Sequence, residues 1–283
     1  MNLSIITVTW NNKKNITEQI NSVFKGCKEI ICEEIISDNG SKDGTVDYIK
    51  KEFPNVKVVE NNANIGFGPA NNTGVEIAQG HYLLFLNPDM RVQEGSLDIM
   101  VKWMDEHVDV GIGSCKLVDT QGNFKPEAGP RRFPTVLNQI ALILKLPHIF
   151  PKILDSYLMK DFDPEKEQEV DTVRGAFMLM RREVVEKLGW AWDPRYFFWF
   201  EDVDICREVK KLGMKVMYTP VVTCVDYVGQ SFKKRTTLWK QKQFTKSMSI
   251  YFKKWEPWWK WMWIALLRPI GIFMAWVNDK LSK

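Results

Sequence analysis

The chain has 283 residues, a length that predicts one large domain with an appendage or two small domains. Its hydrophobic content of 45% and charged content of 26% are ordinary for a globular protein. Its five cysteines are an odd number without CxxC spacing, which argues against a disulfide framework and a zinc site and fits a reducing cytosol. The net charge of +4 is uneven, because residues 233–283 carry 12 Lys/Arg and 2 Asp/Glu while the remainder carries 27 and 33.

Strands and helices alternate through the first 90 residues. Met1-Asn2-Leu3-Ser4 leads directly into a strand-like run without a basic leader, so we expect no signal peptide. The predicted strands cover residues 3–10, 35–38, 56–60 and 82–86, with helices over about 15–25, opened by a capping box at Asn15, and about 45–52. This alternation predicts an α/β fold with a mostly parallel, Rossmann-like sheet flanked by helices.

The second half is less regular. Residues 119–122 read as a hairpin turn, and the proline-rich stretch from 129 to about 171 predicts a long loop region with one short helix, of a kind that often forms lids or binding loops. We then expect a strand over 176–181, a helix over 182–188, a helix from the acidic cluster near 200 up to 213, and late strands over 216–218 and 222–227.

Carboxylates follow several predicted strands or loops. They are Asp38, Asp89, the pair Glu201-Asp202, and Asp226. In an open α/β sheet, ligands bind just beyond the carboxyl ends of the strands, so these side chains are candidates for one site. Each also has a structural interpretation, since Asn87-Pro88-Asp89 suits a β-turn, Asp38 suits an Asx-turn and Glu201-Asp202 suits a helix start.

Several common catalytic motifs are missing from the sequence. No GxGxxG follows the first strand, no GxxxxGK[ST] occurs and no GxSxG occurs, which argues against a dinucleotide oxidoreductase, a P-loop NTPase and an α/β-hydrolase. The three histidines lie far from any useful partner pattern.

Five motifs, in order over roughly the first 230 residues, resemble glycosyltransferase family 2. They are Val8-Thr9-Trp10-Asn11, the turn of residues 37–45, the segment of residues 64–74, Leu86-Asn87-Pro88-Asp89, and Phe200-Glu201-Asp202-Val203-Asp204-Ile205-Cys206. The chain is most similar to the rhamnosyltransferase-like branch, for which Arg131-Arg132-Phe133-Pro134 and Gly175-Ala176-Phe177 are also typical.

The resemblance implies a GT-A fold, a nucleotide-diphosphate-sugar donor, a divalent metal (Mg²⁺ or Mn²⁺) and inversion at the anomeric carbon. Residues 1–230 would form the catalytic domain, with about 1–115 as the nucleotide-sugar-binding half and 116–230 as the acceptor-binding half. Residues 231–283 would form a C-terminal amphipathic helical tail.

Donor binding falls, by the resemblance, on residues of the first half. Asp38 would accept the imide N–H of uracil or thymine, Asn87 stands at the family's first acidic position, and Asp89 would hold the metal that bridges the phosphates. Trp10 would lie beside the base or in the core. The implied donor-binding set is Thr9, Trp10, Asn11, Asp38, Ser41, Asn64, Gly66, Asn72 and Asn87.

Catalysis and acceptor binding fall on the second half. Inversion needs a base that takes the proton of the attacking hydroxyl, and Asp202 matches the family's base, with Glu201 as its substitute. The implied acceptor-binding residues are Arg132, Gly175, Ala176 and Trp199.

One motif departs from the family pattern, His-x-x-Gly-x-Ser, in which the His is a metal ligand. Asp226-Tyr227-Val228-Gly229-Gln230-Ser231 places Asp226 at the His position. Because a carboxylate is a harder ligand that still suits Mg²⁺ or Mn²⁺, we expect Asp226 to coordinate the metal.

The basic tail is rich in tryptophan, with six of the 12 tryptophans between Trp255 and Trp276. Because no stretch of 18 uninterrupted apolar residues exists and Arg268-Pro269 interrupts the apolar run, we expect neither piece to span a bilayer. A hairpin or helix lying on an anionic membrane surface is predicted, with packing on the domain as the alternative. No motif supports nucleic-acid binding.

The leading hypothesis is an inverting, metal-dependent glycosyltransferase at the cytoplasmic face of a prokaryotic cell membrane, attached peripherally. It would move a sugar such as rhamnose to a lipid-linked glycan in cell-surface polysaccharide synthesis. The alternative is a catalytically silent homologue that binds nucleotide sugar or glycan as a partner subunit. A nucleotidyltransferase finds no support, because no glycine- and lysine-rich loop follows the first strand.

Overall fold

A computed structural model describes residues 1–227 and 236–281, and a nine-stranded mixed sheet forms its centre. The spatial order is β3-β2-β1-β4-β8-β6-β9-β5, with β7 paired to β9. The strands are β1 (Leu3–Thr9), β2 (Cys32–Asp38), β3 (Lys57–Glu60), β4 (Tyr82–Leu86), β5 (Met90–Val92), β6 (Val110–Val118), β7 (Gln168–Glu169), β8 (Phe177–Arg181) and β9 (Lys215–Asp226).

Helices cover both faces of the sheet and form a C-terminal pair. They are α1 (Ile16–Gly26), α2 (Thr45–Glu52), α3 (Phe67–Ile77), α4 (Ser96–Glu106), α5 (Val136–Ile143), α6 (Arg182–Leu188), α7 (Glu201–Lys211), α8 (Thr237–Trp255) and α9 (Trp258–Leu281). Two short 3-10 turns, Leu146–His148 and Pro151–Leu154, lie within the predicted loop region, which also holds α5 as its one α-helix.

The strand directions confirm the α/β fold. Strands β1 to β4, β6 and β9 run one way, which makes six of the nine, whereas β5, β7 and β8 run the other way. Strand β8 is inserted antiparallel between β4 and β6, and it joins the first half of the sheet to the second. The sequence predicted β8 as a strand without its direction.

Strand β4 lies at the middle of the core. All five of its side chains are buried, and they alternate between two apolar clusters on opposite faces of the sheet. A strand buried on both faces reads as a continuous apolar run, which is the pattern of residues 82–86. Its first polar side chain follows only at Asn87, at the carboxyl edge of the sheet.

The predicted capping box at Asn15 is wrong. Asn15 has helical dihedral angles and its side chain makes no capping hydrogen bond. An N-cap residue normally has extended dihedral angles, which place its side chain against the first turn of the helix. The structure has a capping box at Thr135 and Asn138 instead, at the start of α5.

Helix α8 packs on α7 and on the segment before it. Met248, Tyr251 and Phe252 are fully buried in a cluster with Tyr196 and Phe200. The Nζ of Lys254 lies 3.1 Å from Asp193, 2.6 Å from Asp204 and 2.8 Å from Glu208. The tail therefore begins with a helix that belongs to the packed core. The domain boundary at 230/231 stays a prediction, and it falls among residues outside the described part of the chain.

Arg268-Pro269 interrupts the apolar run of the sequence but not the helix, because α9 continues through these residues and has 24 residues in all. Within the described residues α9 is the one helix long and apolar enough to cross a membrane, judged by length and composition alone. In this structure it packs on α5 and α8 through Ile264, Gly271 and Ala275, while a stripe of large apolar side chains faces outward. This outward stripe consists of Trp259, Trp263, Leu266, Ile270, Phe273 and Trp276.

We expect Lys254→Met to lower the free energy of unfolding by about 3–5 kcal/mol, because it leaves three buried carboxylates without their shared ammonium. Urea unfolding of the full chain measures the change. Lys253→Met is the matched control, since Lys253 is exposed on the same helix and contacts only the face of Trp261 among the described residues. Equal losses in both variants would contradict a stabilising role for the Lys254 cluster.

Candidate active site

A cavity of about 450 Å³ opens at the carboxyl edge of the sheet. Its walls come from the ends of β1 and β4, from the segment before β8, from the start of α7 and from α8. The register of the strands explains the meeting, since Thr9 pairs with Asp38 and the N–H of Asn87 donates to the carbonyl of Ala176. Distant parts of the sequence thus face one space.

Two buried side-chain oxygen atoms at the ends of β1 and β2 have no hydrogen-bond partner among the described residues. They are Oγ1 of Thr9 and Oδ1 of Asp38. The other oxygen of Asp38 accepts the N–H of Ser41 at 2.8 Å, so the Asx-turn interpretation of Asp38 is correct for one oxygen only. Because buried acceptors are normally paired, the second oxygen indicates a donor supplied by a ligand. Thr9 lines the cavity, whereas Asp38, its partner in the register of β1 and β2, does not.

The loops beside this pair are fastened to each other. The N–H of Asn11 donates to Oγ of Ser41, and Oδ1 of Asn11 accepts the N–H of Lys42. These bonds hold the loop after β1 against the loop after β2, so Asn11 and Ser41 shape the cavity without lining it. Trp10 lines the cavity and is 37% exposed, which argues against the core interpretation.

A glycine lets the 64–67 loop approach the opposite wall. Gly66 has φ +102°, and a Cβ there would lie 2.6 Å from the carbonyl oxygen of Phe197. Oδ1 of Asn64 accepts the N–H of Gly66 within this turn, and both residues line the cavity. Asn39, which the sequence analysis missed, also lines it and donates to the carbonyl of Gly66.

Asn87, Asp89 and Asp226 meet at one corner of the cavity. Strands β5 and β9 bring them together, since Met90 pairs with Asp226 and the N–H of Tyr227 donates to the carbonyl of Asp89. The Nζ of Lys125, a buried residue missed from the sequence, lies 3.0 Å from Oδ2 of Asp226. The rest of the Asp226–Ser231 motif, from residue 228 on, lies outside the described part of the chain.

The oxygen ligands at this corner fit a divalent cation whose coordination is completed by a phosphate of the substrate. Residues 1–227 and 236–281 contain no group of three or more His, Cys, Asp or Glu side chains placed to hold a metal alone. Mg²⁺ normally uses one or two carboxylates together with substrate phosphates and water, and two carboxylates line this corner.

Glu201 and Asp202, the first two residues of α7, form another part of the cavity wall. The preceding Trp199 and Phe200 have φ of 67° and 70°, a left-handed conformation that is costly for aromatic residues and that often occurs at functional sites. Helix α8 holds this turn, since Oγ of Ser247 donates to the carbonyl of Phe198 at 2.7 Å. The turn therefore depends on the tail helix.

Glu201 and Asp202 differ in environment. Burial and the neighbouring Asp202 raise the pKa of Glu201 well above its usual range, and its Oε2 has no partner within the described residues. Asp202 is half-buried and accepts the N–H of Val203 at 2.9 Å. Burial therefore disfavours the ionised form of Glu201, whereas Asp202 is the more exposed carboxyl of the pair.

Two further predicted residues, Asn72 and Arg132, also lie away from the cavity wall. Both polar atoms of the Asn72 side chain bond the backbone of Trp192, at 2.6 and 3.0 Å, so Asn72 clamps α3 to the segment before α7. Arg132 is exposed and pairs with Asp161 at 3.6 Å. Neither lines the cavity, in contrast to the predicted Gly175, Ala176 and Trp199.

Three further cavity residues were missed from the sequence. Arg174 and Glu127 line the wall beside Asp202, and Arg174 donates to the carbonyl of Glu127 at 2.7 Å. Trp239, from α8, lines the same wall and lies 6.4 Å from the ring of Trp199. Arg174 could have been found from the sequence, because it directly precedes the Gly175-Ala176 motif. Trp239 was not considered because the tail was assigned to a membrane surface.

Comparisons with known proteins agree with this architecture. The family model "Glycosyl transferase family 2" matches residues 4–189. An N-acetylglucosaminyl-diphospho-decaprenol L-rhamnosyltransferase of Mycobacterium tuberculosis is 24% identical over 242 residues, which cover 81% of this chain and 77% of the relative.

Solved structures show the same fold at low identity. S. aureus TarS 1–349 in complex with UDP-GlcNAc aligns with a TM-score of 0.57 at 17% identity, over 88% of this chain and 65% of that one. GalNAc-T7 with UDP, GalNAc and Mn²⁺ aligns with a TM-score of 0.60 at 16% identity, over 82% and 44%. The chain thus spans about half to two thirds of these two structures, and the likeness confirms the predicted GT-A fold.

Proposed function

The chain belongs to glycosyltransferase family 2, and on that premise we propose that it is an inverting, metal-dependent enzyme that moves a sugar such as rhamnose from a nucleotide-diphosphate donor to a lipid-linked glycan. The observation that carries the proposal is the single cavity that Thr9, Asp89 and Asp202 line from three sides. Such a site can bind a base, a diphosphate and an acceptor hydroxyl together.

The donor's base would lie at the end of β1 and β2. A uracil or thymine imide N–H can donate to the unpaired Oδ1 of Asp38, and Oγ1 of Thr9 is a second buried group beside it. Trp10 offers a ring face next to the base. We assign donor binding to residues of about 1–115 and acceptor binding to residues of 116–230, with Trp239 as an addition from the tail.

The leaving diphosphate would lie against Asn87, Asp89 and Asp226. When bound there, a divalent cation supplies positive charge that stabilises the developing negative charge of the diphosphate. Asp89 and Asp226 would hold it, and the amide of Asn87 would donate to a phosphate oxygen. Lys125 brings a further positive charge to the same corner.

Asp202 would remove the proton of the attacking acceptor hydroxyl. Inversion places the acceptor on the face of the sugar opposite to the leaving group, and Asp202 lines the same cavity as Asp89 but comes from α7 and not from the edge of the sheet. Arg174 and Trp199 would flank the acceptor. Burial raises the pKa of Glu201, which disfavours a second negative charge beside the base.

A lipid-linked acceptor is supported by two features. The name of the mycobacterial relative states a diphospho-decaprenol acceptor for that protein. In this chain, the outward stripe of α9 is apolar, lies on a strongly basic tail and has tryptophans toward both ends, which suits the surface of an anionic membrane. We therefore place the enzyme at the cytoplasmic face of the cell membrane, attached peripherally, in cell-surface polysaccharide synthesis.

We expect Asp202→Asn to lower turnover by about 10²–10⁴-fold with donor binding retained, because the amide cannot accept the proton. Release of nucleoside diphosphate from a panel of nucleotide sugars, with Mg²⁺ or Mn²⁺ and with or without a lipid-linked acceptor, measures turnover. Asp47→Asn is the control, since Asp47 is an exposed carboxylate in the first turn of α2. Near-normal turnover of Asp202→Asn would contradict its role, and no release by the unmodified chain with any donor would favour the silent homologue.

We expect Asp226→Ala to weaken Mn²⁺ binding on the order of tenfold or more, because a carboxylate ligand is lost. Lys125→Met should have the opposite sign, since it removes the ammonium that competes for Asp226. Mn²⁺ titration followed by electron paramagnetic resonance, with UDP present, measures affinity independently of turnover. Unchanged affinity in Asp226→Ala would remove Asp226 from the ligand set.

We expect the double variant Trp263→Glu/Ile270→Glu to bind anionic vesicles at least about tenfold more weakly, because two apolar side chains of the outward stripe would otherwise leave water. Flotation with phosphatidylglycerol vesicles measures this. The control Ile31→Glu/Val108→Glu changes two exposed apolar residues elsewhere. Equal flotation of both variants would contradict membrane attachment through α9. Truncation at Phe232, which lies outside the described residues, is a poorer test because it removes the buried side chains of α8.

A further inference from the structure

A second groove, of about 480 Å³, lies between α8 and α9. Its lining combines a hydrocarbon surface with two cations and contains no carboxylate. The lining residues are Leu238, Lys242, Ala265, Arg268, Pro269, Ile272, Phe273 and Trp276.

The two cations remain available for an anion. No carboxylate within residues 1–227 and 236–281 forms an ion pair with Lys242 or Arg268, in contrast to Lys254 on α8. The Nε of Arg268 donates to Oγ1 of Thr245 at 3.1 Å, which fixes the guanidinium beside the groove. The groove therefore complements a ligand with an anionic head and an apolar chain.

The first turn of α8 contributes a residue to the groove and a residue to the catalytic cavity. Leu238 lines the groove, and its neighbour Trp239 lines the cavity. The carboxylate of Asp279 accepts the N–H groups of Thr237 and Leu238, so the end of α9 is tied to this turn. Lys242 follows one helical turn after Leu238, about 6 Å along the axis. A phosphate at Lys242 would hold an attached sugar close to the catalytic cavity.

The other side of the groove opens onto the outward stripe of α9. Phe273 and Trp276 belong to both surfaces, and they are 61% and 45% exposed. A ligand's hydrocarbon chain that leaves the groove over these rings would enter the membrane that the outward stripe is proposed to contact. The same helix pair can thus receive an apolar chain from the membrane and present its head group to the cavity.

We propose that the groove between α8 and α9 binds the isoprenoid diphosphate portion of the acceptor, with the phosphates at Lys242 and Arg268 and the hydrocarbon against Ile272, Phe273 and Trp276. This inference depends on the proposed function, because it names the lipid to which the acceptor glycan is attached. It gives the basic tail a substrate-binding role in addition to membrane attachment.

Calorimetric titration of the full chain with farnesyl diphosphate, a soluble isoprenoid diphosphate, tests the groove. We expect saturable binding that Lys242→Gln weakens about tenfold, as loss of a charge-assisted contact would. Lys246→Gln is the matched control, because Lys246 is exposed one turn further along α8 and does not line the groove. Equal weakening by both variants, or equal affinity for inorganic diphosphate, would overturn the proposal.

A second pair of variants tests the apolar part. Ile272→Trp should fill the groove and weaken farnesyl diphosphate binding, whereas Ile270→Trp, on the outward stripe, should leave it unchanged. Equal affinity for dihexanoyl phosphatidylglycerol would identify an ordinary membrane-lipid site and overturn the proposal.

Transfer to a water-soluble acceptor glycan separates this inference from the proposed function. If transfer persists while farnesyl diphosphate fails to bind, the groove assignment is wrong and the enzyme assignment stands. If no sugar is transferred to either acceptor, the proposed function fails, whereas the Lys242 effect on farnesyl diphosphate still reports on the groove.

Discussion

The complete burial of strand β4 is the constraint on which the site depends. A strand with apolar neighbours on both faces cannot carry a charge along its length, so its first polar groups occur where the chain leaves the sheet. Parallel pairing with β1 brings Thr9 and Asp38 to that same edge, and antiparallel pairing with β8 brings Gly175 and Ala176 there. The location of the cavity is therefore a consequence of the sheet's hydrophobicity and register.

The part of the cavity wall at the start of α7 depends on interactions with α8. Trp199 and Phe200 adopt a conformation that costs on the order of 1–3 kcal/mol each, and it persists only where surrounding structure compensates. Ser247 binds this turn through the carbonyl of Phe198, and Lys254 binds Asp204 on the helix that Glu201 begins. The residues that present Asp202 to the cavity are thus held by a helix that begins at residue 237.

Local sequence signals predicted much of the fold and part of the candidate site. The apolar run of residues 82–86 and the polar turn after Asp38 are local patterns, so strands β2 and β4 and their terminal carboxylates could be read from the chain. The pairing of Lys125 with Asp226 spans 101 residues, and no local pattern reports such a contact. The contacts of Trp239 with Trp199 and of Asn72 with Trp192 likewise join residues far apart in sequence.

The continuous helix through Pro269 shows how packing outweighs a local breaker. A proline inside a helix costs about 3 kcal/mol, since it removes one backbone hydrogen bond and crowds the preceding turn. Gly271 lies against Ile143 and Gln241, where a Cβ would approach atoms at 2.8 and 2.9 Å, and Arg268 bonds Thr245 across the helix pair. These contacts on both sides of the proline keep α9 seated on α5 and α8. Because α8 also holds the turn before Asp202, the apolar face of α9 and the catalytic wall belong to one packed framework, and a surface bound by α9 would stand in a fixed relation to the site.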